Sequence, residues 1–223
     1  MSEVLRVVDR EWHQSQEASR LLASIEQQVQ GGGLLLEGNF PQFDLFGVKV
    51  LLQGGSSSGK STLFNILAAP DTERSVAAAE TKGMQMARIT WAAKLTNTGD
   101  VALFSIGVWD AGHRTWHEYD HIKEECERDT AVRAIVFSLK DKASWATAKQ
   151  MADALPADAR FFFVGTSYDL APEHLEVAVD EVQQWSDAMG VAFCLTPAGQ
   201  RSEHIRIRRR FLNLVCDTAL RSE

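Results

Sequence analysis

The chain has 223 residues, of which 45% are hydrophobic and 24% are charged, so it is long enough for one substantial globular domain and a modest extension. The formal net charge of −7 argues against general nucleic-acid binding, which needs a basic surface. No apolar run approaches the length of a membrane span, and three widely spaced cysteines predict reduced thiols in a cytoplasmic protein. The two ends of the sequence predict neither a secretory signal nor a covalent lipid anchor.

The first predicted element is an amphipathic helix over residues 12–30, within an N-terminal extension of residues 1–45. Its apolar residues recur at helical spacing, and three glycines at 31–33 end it. They are Trp12, Leu21, Leu22, Ile25 and Val29. Two roles remain open for this helix, which either packs on the main domain or carries a partner interface.

Residues 46–223 predict an α/β domain in which strands alternate with helices. Strands are predicted near 47–53, 83–95, 100–110, 131–139, 160–166 and 191–196. Helices are predicted near 60–69, 114–127, 142–154, 173–189 and 203–221. This alternation predicts a three-layer fold with a six-stranded, mostly parallel sheet, in which the turn-rich link 96–99 makes the second and third strands an antiparallel hairpin.

A glycine-rich loop joins the first strand and first helix of this domain and matches the phosphate-binding pattern G-x-x-x-x-G-K-[ST]. In such a loop the backbone N–H groups bind phosphates, the lysine reaches the terminal phosphates and the serine hydroxyl ligates Mg²⁺. The sequence therefore predicts a nucleotide site at this loop. The predicted phosphate-binding residues are Gly54, Gly55, Ser56, Ser57, Ser58, Gly59, Lys60, Ser61 and Thr62.

Two further segments carry residues suited to Mg²⁺ and a terminal phosphate. Asp110 ends an apolar strand and can hold a metal-bound water, while the Gly112 N–H can sense the phosphate. Thr81 lies between this strand and the loop, where its hydroxyl can close over the metal. The predicted metal residues are Ser61, Thr81 and Asp110, and release of the phosphate would free both segments.

A carboxylate at the end of the next-to-last predicted strand can select the nucleotide base. Asp169 can accept hydrogen bonds from guanine N1–H and the exocyclic amino group, a pair of donors that adenine lacks. The segment Thr196-Pro197-Ala198 follows the last strand and can approach the base from the other side. The predicted cofactors are GTP or GDP with Mg²⁺.

In this order and spacing, the motifs resemble the Ras-like small GTPases over roughly residues 46–220. Ser56, Thr81-Lys82-Gly83 and Val108-Trp109-Asp110 are similar to the Rab branch. Three departures narrow the resemblance. One residue is missing between Asp110 and Gly112, the base motif reads Thr166-Ser167-Tyr168-Asp169, and the final residues lack prenylation cysteines.

With these departures and the leading segment Glu11-Trp12-His13-Gln14-Ser15, the chain resembles the Rem/Rab-like small GTPases of the ciliogenesis and planar-polarity effector (CPLANE) complex. The resemblance implies a P-loop small GTPase fold and a role in cilium assembly at the basal body or transition zone. It also implies the partners Inturned and Fuzzy, with indirect membrane or phosphoinositide contact through partners.

Hydrolysis is expected to be slow. His113 stands where Ras-like enzymes place the glutamine that orients the attacking water, and it is the candidate catalytic residue together with Lys60. His113 could instead cap or pack the next helix. Replacement of the family's usual Asn-Lys pair by Thr166 and Ser167 is expected to weaken the base site.

Two other functions stay open: a GTP-loaded scaffold without useful turnover, and a P-loop ATPase or kinase, against which Asp169 argues. A cluster of arginines in the last predicted helix is either a solvated face or a contact with anionic lipid. It comprises Arg206, Arg208, Arg209 and Arg210.

Overall fold

The computed structural model describes residues 8–30, 43–68, 83–112, 120–168, 172–197 and 201–221. In these ranges, six strands form one sheet in the order β2-β3-β1-β4-β5-β6. The strands are β1 Leu45–Gln53, β2 Met84–Lys94, β3 Val101–Ala111, β4 Val132–Ser138, β5 Phe161–Thr166 and β6 Phe193–Leu195. All neighbouring pairs are parallel except β2 and β3. The predicted mostly parallel sheet and its hairpin are confirmed.

Six α-helices accompany the sheet in the described ranges. They are α1 Gln16–Gln30, α2 Lys60–Ala68, α3 Asp120–Glu127, α4 Lys142–Asp153, α5 Val179–Met189 and α6 Arg201–Leu220. None of these helices is both long and apolar enough to span a membrane. The first half of the helix predicted over 114–127 falls largely on residues outside the described ranges.

The alternating side chains of the buried strands build a separate apolar core on each face of the sheet. On one face, Val50 and Val136 pack with Leu63 of α2 and Phe211 of α6. On the other face, Phe137 and Phe163 pack with Trp145 of α4 and Val182 of α5. The predicted three layers are therefore present.

The predicted continuous helix over 12–30 is wrong at Ser15. A short 3₁₀ helix, Trp12–Gln14, comes first, and Ser15 has extended backbone angles. The Ser15 hydroxyl accepts the Ala18 N–H at 3.1 Å, which satisfies a free donor at the start of α1. The serine therefore caps a new helix, because a side-chain acceptor competes with helix continuation at that position.

The helix predicted over 173–189 is also wrong at its start. Only Pro172–His174 forms a 3₁₀ turn, and α5 begins at Val179. The N–H groups of Glu176 and Val177 both donate to the Leu139 carbonyl, and Val177 is fully buried. Docking on the loop after β4 thus takes the donors that a longer helix would have used.

The described part of the N-terminal extension packs on the β2–β3 hairpin, as in the first of the two roles left open. Trp12, Ala18 and Ile25 are buried against Ala92 and Leu103. The predicted division at residue 45 falls at the first residue of β1, and the neighbouring Phe43 packs with the same cluster. The extension therefore contributes to the folded core.

His13 is buried at the centre of this contact. Its Nε2 donates to the Ala92 carbonyl at 2.7 Å, and its ring stacks on Trp91 with centroids 4.4 Å apart. Its Nδ1 lies 3.4 Å from the side-chain amide nitrogen of Asn213, and the amide oxygen of Asn213 accepts a hydrogen bond from the Trp91 indole N–H. Burial lowers the pKa of His13 and Arg209 lowers it further, against opposing effects of the Ala92 hydrogen bond and Asp9. A neutral imidazole is favoured here.

We expect His13 to make stability fall in acid. The unfolded side chain keeps the ordinary pKa of 6.5, whereas the folded value is lower. Between the two values the unfolded state binds more protons, so the free energy of unfolding decreases as the pH falls below 6.5. Urea titrations over this range should show a smaller pH slope for His13→Gln than for the wild type. Identical slopes would contradict a buried neutral His13.

Candidate functional site

The glycine-rich loop sits at the carboxyl end of β1, where backbone space is tight. A Cβ on Gly54 would collide with the Val136 carbonyl oxygen, and a Cβ on Gly59 would lie 2.8 Å from the Thr166 methyl group. Both glycines have positive φ angles, 150° and 95°, that disfavour other residues. Glycine is therefore needed twice for a loop of this shape, which leads into the N-terminus of α2.

Lys60 lies over the loop as the first residue of α2. Its Nζ donates to the Gly54 carbonyl at 2.8 Å and the Gly55 carbonyl at 2.6 Å, and it contacts Ser58 Oγ at 3.4 Å. Burial lowers the pKa of Lys60, while the negative charge of Asp110 opposes that shift. An ammonium has three donors. The long contact to Ser58 is the weakest of the three and the easiest to exchange for a phosphate oxygen.

Ser61 and Asp110 meet beside this lysine. Ser61 Oγ donates to Asp110 Oδ2 at 2.9 Å, and the carboxylate is fully buried. Within the described residues, Asp110 Oδ1 has no hydrogen-bond partner. Burial raises the pKa of Asp110, against the hydrogen bond from Ser61 and the charge of Lys60. A buried carboxylate oxygen without a partner, next to a serine hydroxyl, fits a hydrated divalent cation.

Gly112 directly follows β3, at the open end of the β2–β3 hairpin. Its N–H donates to the Gly83 carbonyl at 3.0 Å, which extends the pairing of β2 and β3 by one step. Contact of this N–H with a terminal phosphate therefore requires the bond to Gly83 to open.

Thr166 ties the base side of the site to the phosphate loop. Its Oγ1 lies 2.9 Å from the Ser58 carbonyl and 3.1 Å from the Phe137 carbonyl, and its one proton serves one oxygen at a time. The sequence suggested that threonine would weaken this connection. The structure retains a direct hydrogen bond, and the Thr166 methyl also fills the space above Gly59.

A cavity of about 210 Å³ lies beside this connection. Thr196 and Pro197, two residues of the predicted base-binding segment, line it together with Thr62 and Ser167. Lys140, after β4, is a lining residue that sequence reasoning missed. Its position after the strand next to β5 was the available signal, because carboxyl ends of neighbouring parallel strands share one edge.

The structure thus brings most predicted site residues to one edge of the sheet. The loop residues 54–62 lie near Asp110, while Thr196 and Pro197 adjoin the loop through the cavity. The remaining predicted site residues lie outside the described ranges. They are Thr81, His113, Asp169 and Ala198.

We expect Thr166→Val to weaken nucleotide binding about fivefold to tenfold, the worth of one buried hydrogen bond. Valine keeps the methyl contact with Gly59 but removes the donor to Ser58. Equilibrium titration with a fluorescent guanine nucleotide measures the change. Thr166→Ser, which keeps the hydroxyl, should stay near wild type. A loss in Thr166→Ser with none in Thr166→Val would show that the methyl group matters instead.

A strand, glycine-rich loop and helix at the edge of a mostly parallel sheet define a P-loop nucleotide-binding protein. The model of the Ras family matches residues 49–218, so the chain belongs to the Ras family.

Relatives within this family carry one shared name. The chain is 25% identical over 193 residues to Ciliogenesis and planar polarity effector 2 of Danio rerio, covering 83% of this chain and 75% of that protein. It is 31% identical over 144 residues to the Homo sapiens protein of the same name and 29% identical over 144 residues to that of Mus musculus. These two matches cover 62% of this chain and only 55% of each relative.

Proposed function

We propose that the chain is a guanine-nucleotide-dependent switch that acts in cilium assembly. The observation that supports this proposal most directly is the geometry of loop 54–61. Lys60 donates hydrogen bonds to two carbonyls of the loop, and Ser61 donates one to the buried Asp110. This arrangement concentrates backbone N–H groups, an ammonium and a metal-suited carboxylate at one helix N-terminus. The Ras-family match supports the switch, and the names of the relatives support the cilium.

Each part of the nucleotide has a proposed contact. Residues 54–62 bind the phosphates, Ser61, Asp110 and Thr81 hold Mg²⁺, and Gly112 meets the terminal phosphate. Mg²⁺ supplies positive charge that offsets the phosphate charge. Asp169 reads guanine, and the segment 196–198 closes the other side of the base. Support for this base site comes from the cavity lined by Thr196 and Pro197.

The proposed partners are the CPLANE proteins Inturned and Fuzzy, and the proposed location is the ciliary basal body or transition zone. The relatives are named for planar polarity and ciliogenesis effectors, which supports this assignment at the level of the complex. A switch should bind its partners differently in its two nucleotide states. Co-precipitation of Inturned and Fuzzy by the GTP-loaded and GDP-loaded chain tests this directly.

Nucleotide specificity is the first test. A nucleotide that binds only the folded chain raises stability by about 2.7 kcal/mol at a hundredfold excess over Kd. GTP and GDP with Mg²⁺ should raise the melting temperature, whereas ATP should not. Lys60→Ala should abolish this rise in melting temperature, whereas the control Lys142→Ala, at an exposed lysine, should retain it.

Asp169→Asn should shift the nucleotide preference from guanine toward xanthine nucleotides. Equal stabilisation of the wild type by ATP would favour the ATPase or kinase alternative.

Turnover separates the switch from a GTP-loaded scaffold. The scaffold is a second candidate because Gly112, the proposed phosphate sensor, donates its N–H to Gly83. Slow phosphate release in a single-turnover assay, lost in His113→Ala, would support a weak GTPase that uses Lys60 and His113. No release over hours, even with partners, would support the scaffold.

A further inference from the structure

A large groove lies between the N-terminal segment, β6 and α6. Its volume is about 1100 Å³, and it shares no lining residue with the cavity beside the phosphate loop. Apolar side chains form part of its lining. Phe193 and Leu195 of β6 are half-buried, while Tyr168 and Ile205 are 50% and 53% exposed. The groove is therefore a concave surface with an apolar part.

Arginines from two elements line the same groove. Arg10 comes from the N-terminal segment, and Arg206, Arg209 and Arg210 come from α6. The only carboxylate among the described lining residues is that of Glu11. This positive surface contrasts with a chain whose formal net charge is −7. The groove is consequently a local site of attraction for negative charge.

Among the described residues, two of these arginines already pair with a carboxylate and two do not. Arg10 pairs with Asp217 at 2.7 Å, and Arg206 pairs with Glu203 at 3.2 Å. Across the part of the chain that the structure describes, no carboxylate pairs with Arg209 or Arg210. These two guanidinium groups remain able to bind carboxylates of another molecule.

All three residues of β6 line this groove, and the outer edge of the strand carries backbone groups that no described strand pairs. On the inner edge, the Ala192 carbonyl accepts the Phe163 N–H and the Thr196 N–H donates to the Gly165 carbonyl. Because strand residues alternate in direction, Phe193 and Leu195 point their N–H and carbonyl groups away from β5. No strand pairs with this edge in the described ranges. Such an edge can accept an added strand.

The side chains of β6 predict which residues each face of an added strand would contact. Cys194 packs in the core on the α6 side of the sheet, whereas Phe193 and Leu195 pack with the α5 side. An added strand would follow the same alternation. Every second side chain would face the arginines of α6, and those between would face Phe193 and Leu195.

We propose that this groove binds an extended segment of a partner protein in which acidic residues alternate with apolar ones. Its backbone pairs with the outer edge of β6, its carboxylates pair with Arg209 and Arg210, and its apolar side chains cover Phe193 and Leu195. A concave groove beside a strand edge suits a peptide better than a membrane, because a bilayer offers neither backbone donors nor a strand to pair.

The test uses the full chain and a fluorescent peptide of sequence Ser-Glu-Val-Glu-Val-Glu-Val-Glu-Ser. Fluorescence polarisation should detect binding that weakens as salt is raised. The double variant Arg209→Glu/Arg210→Glu should bind at least tenfold more weakly. The matched control Arg20→Glu/Arg88→Glu makes the same charge change at exposed arginines that do not line the groove and should bind like wild type. Unchanged melting temperatures and GTP affinities establish that both variants remain folded.

Two altered peptides separate the elements of the proposal. A peptide with lysine in place of glutamate should not bind, and one with N-methylated valine amides should lose at least tenfold in affinity, because it cannot pair with β6. Equal binding of the lysine peptide, or of the Arg209→Glu/Arg210→Glu variant, would overturn the proposal. So would tight binding to phosphatidylserine vesicles through these arginines without peptide binding. GTP binding by Lys60→Ala tests only the proposed switch, whereas peptide binding tests only the groove, so either proposal can fail without the other.

Discussion

Gly54→Ala is expected to abolish nucleotide binding and to lower the free energy of unfolding by about 3 kcal/mol, the upper range for a side chain forced into filled space. The added methyl would strike the Val136 carbonyl oxygen, a backbone atom in the central strand β4 that cannot move aside as a side chain would. A φ of 150° adds strain for any residue with a Cβ. Urea unfolding and GTP titration measure the two losses.

Gly47→Ala is the matched control for this prediction. Gly47 lies in β1, the strand that leads to Gly54, and a Cβ built there meets nothing within 4 Å. Gly47 is also not one of the described glycines that have a positive φ angle. The substitution should change stability by about 0.5 kcal/mol or less. Similar losses in both variants would mean that this segment of the chain disfavours alanine generally and that Gly54 has no special fit.

The sheet could be predicted because each strand carries its own signal. The apolar runs that became β1, β4 and β5 are buried on both faces, so they read as continuous hydrophobic segments. The turn-rich link at 96–99 indicated the hairpin, and the structure pairs Lys94 with Val101 next to it. Strand order could not be read in this way, since it depends on contacts between distant segments.

The phosphate loop was predictable for a related reason, because its function depends on local backbone geometry. A glycine pattern between a strand and a helix encodes both the shape and the chemistry. The start of α1 could not be placed correctly, since the helical spacing of apolar residues continues through Ser15 even though the serine hydroxyl caps a new helix there. The same holds for α5, whose start is set by contacts with Leu139, some forty residues earlier in the chain.

Thr166 illustrates a limit of motif comparison. Against the family pattern, its replacement of asparagine suggested a weaker connection. In the fold, the shorter hydroxyl reaches the Ser58 carbonyl because Gly59 lets the loop approach β5 closely. The effect of one substitution therefore depends on a spacing that the motif does not record.

The contact between the two ends of the described chain was not predictable from sequence at all. Asp217 of α6 is 1% exposed and accepts the Val8 N–H at 2.7 Å. It also accepts two hydrogen bonds from the Arg10 guanidinium, at 2.7 Å and 3.2 Å. More than two hundred residues separate the partners, and neither segment carries a pattern that marks the pair. The carboxylate holds the N-terminal segment against the domain.

Asp217→Ala is expected to lower the free energy of unfolding by about 2–3 kcal/mol and to release the N-terminal segment. The usual cost of breaking a buried ion pair is somewhat larger, but Arg10 is 38% exposed and water can solvate it once the carboxylate is gone. The buried Val8 N–H loses its only hydrogen-bond acceptor among the described residues, and water cannot easily replace that acceptor in the buried site.

Asp217→Asn, which keeps an acceptor for Val8, should lose less stability. Glu125→Gln breaks an exposed pair with Arg128 and should lose about 0.5 kcal/mol or less. Urea unfolding gives the stabilities, and limited proteolysis should cut the N-terminal segment faster in Asp217→Ala alone. Unchanged cleavage despite lost stability would show that the apolar contacts of Trp12 and Ile25 hold the segment without the carboxylate.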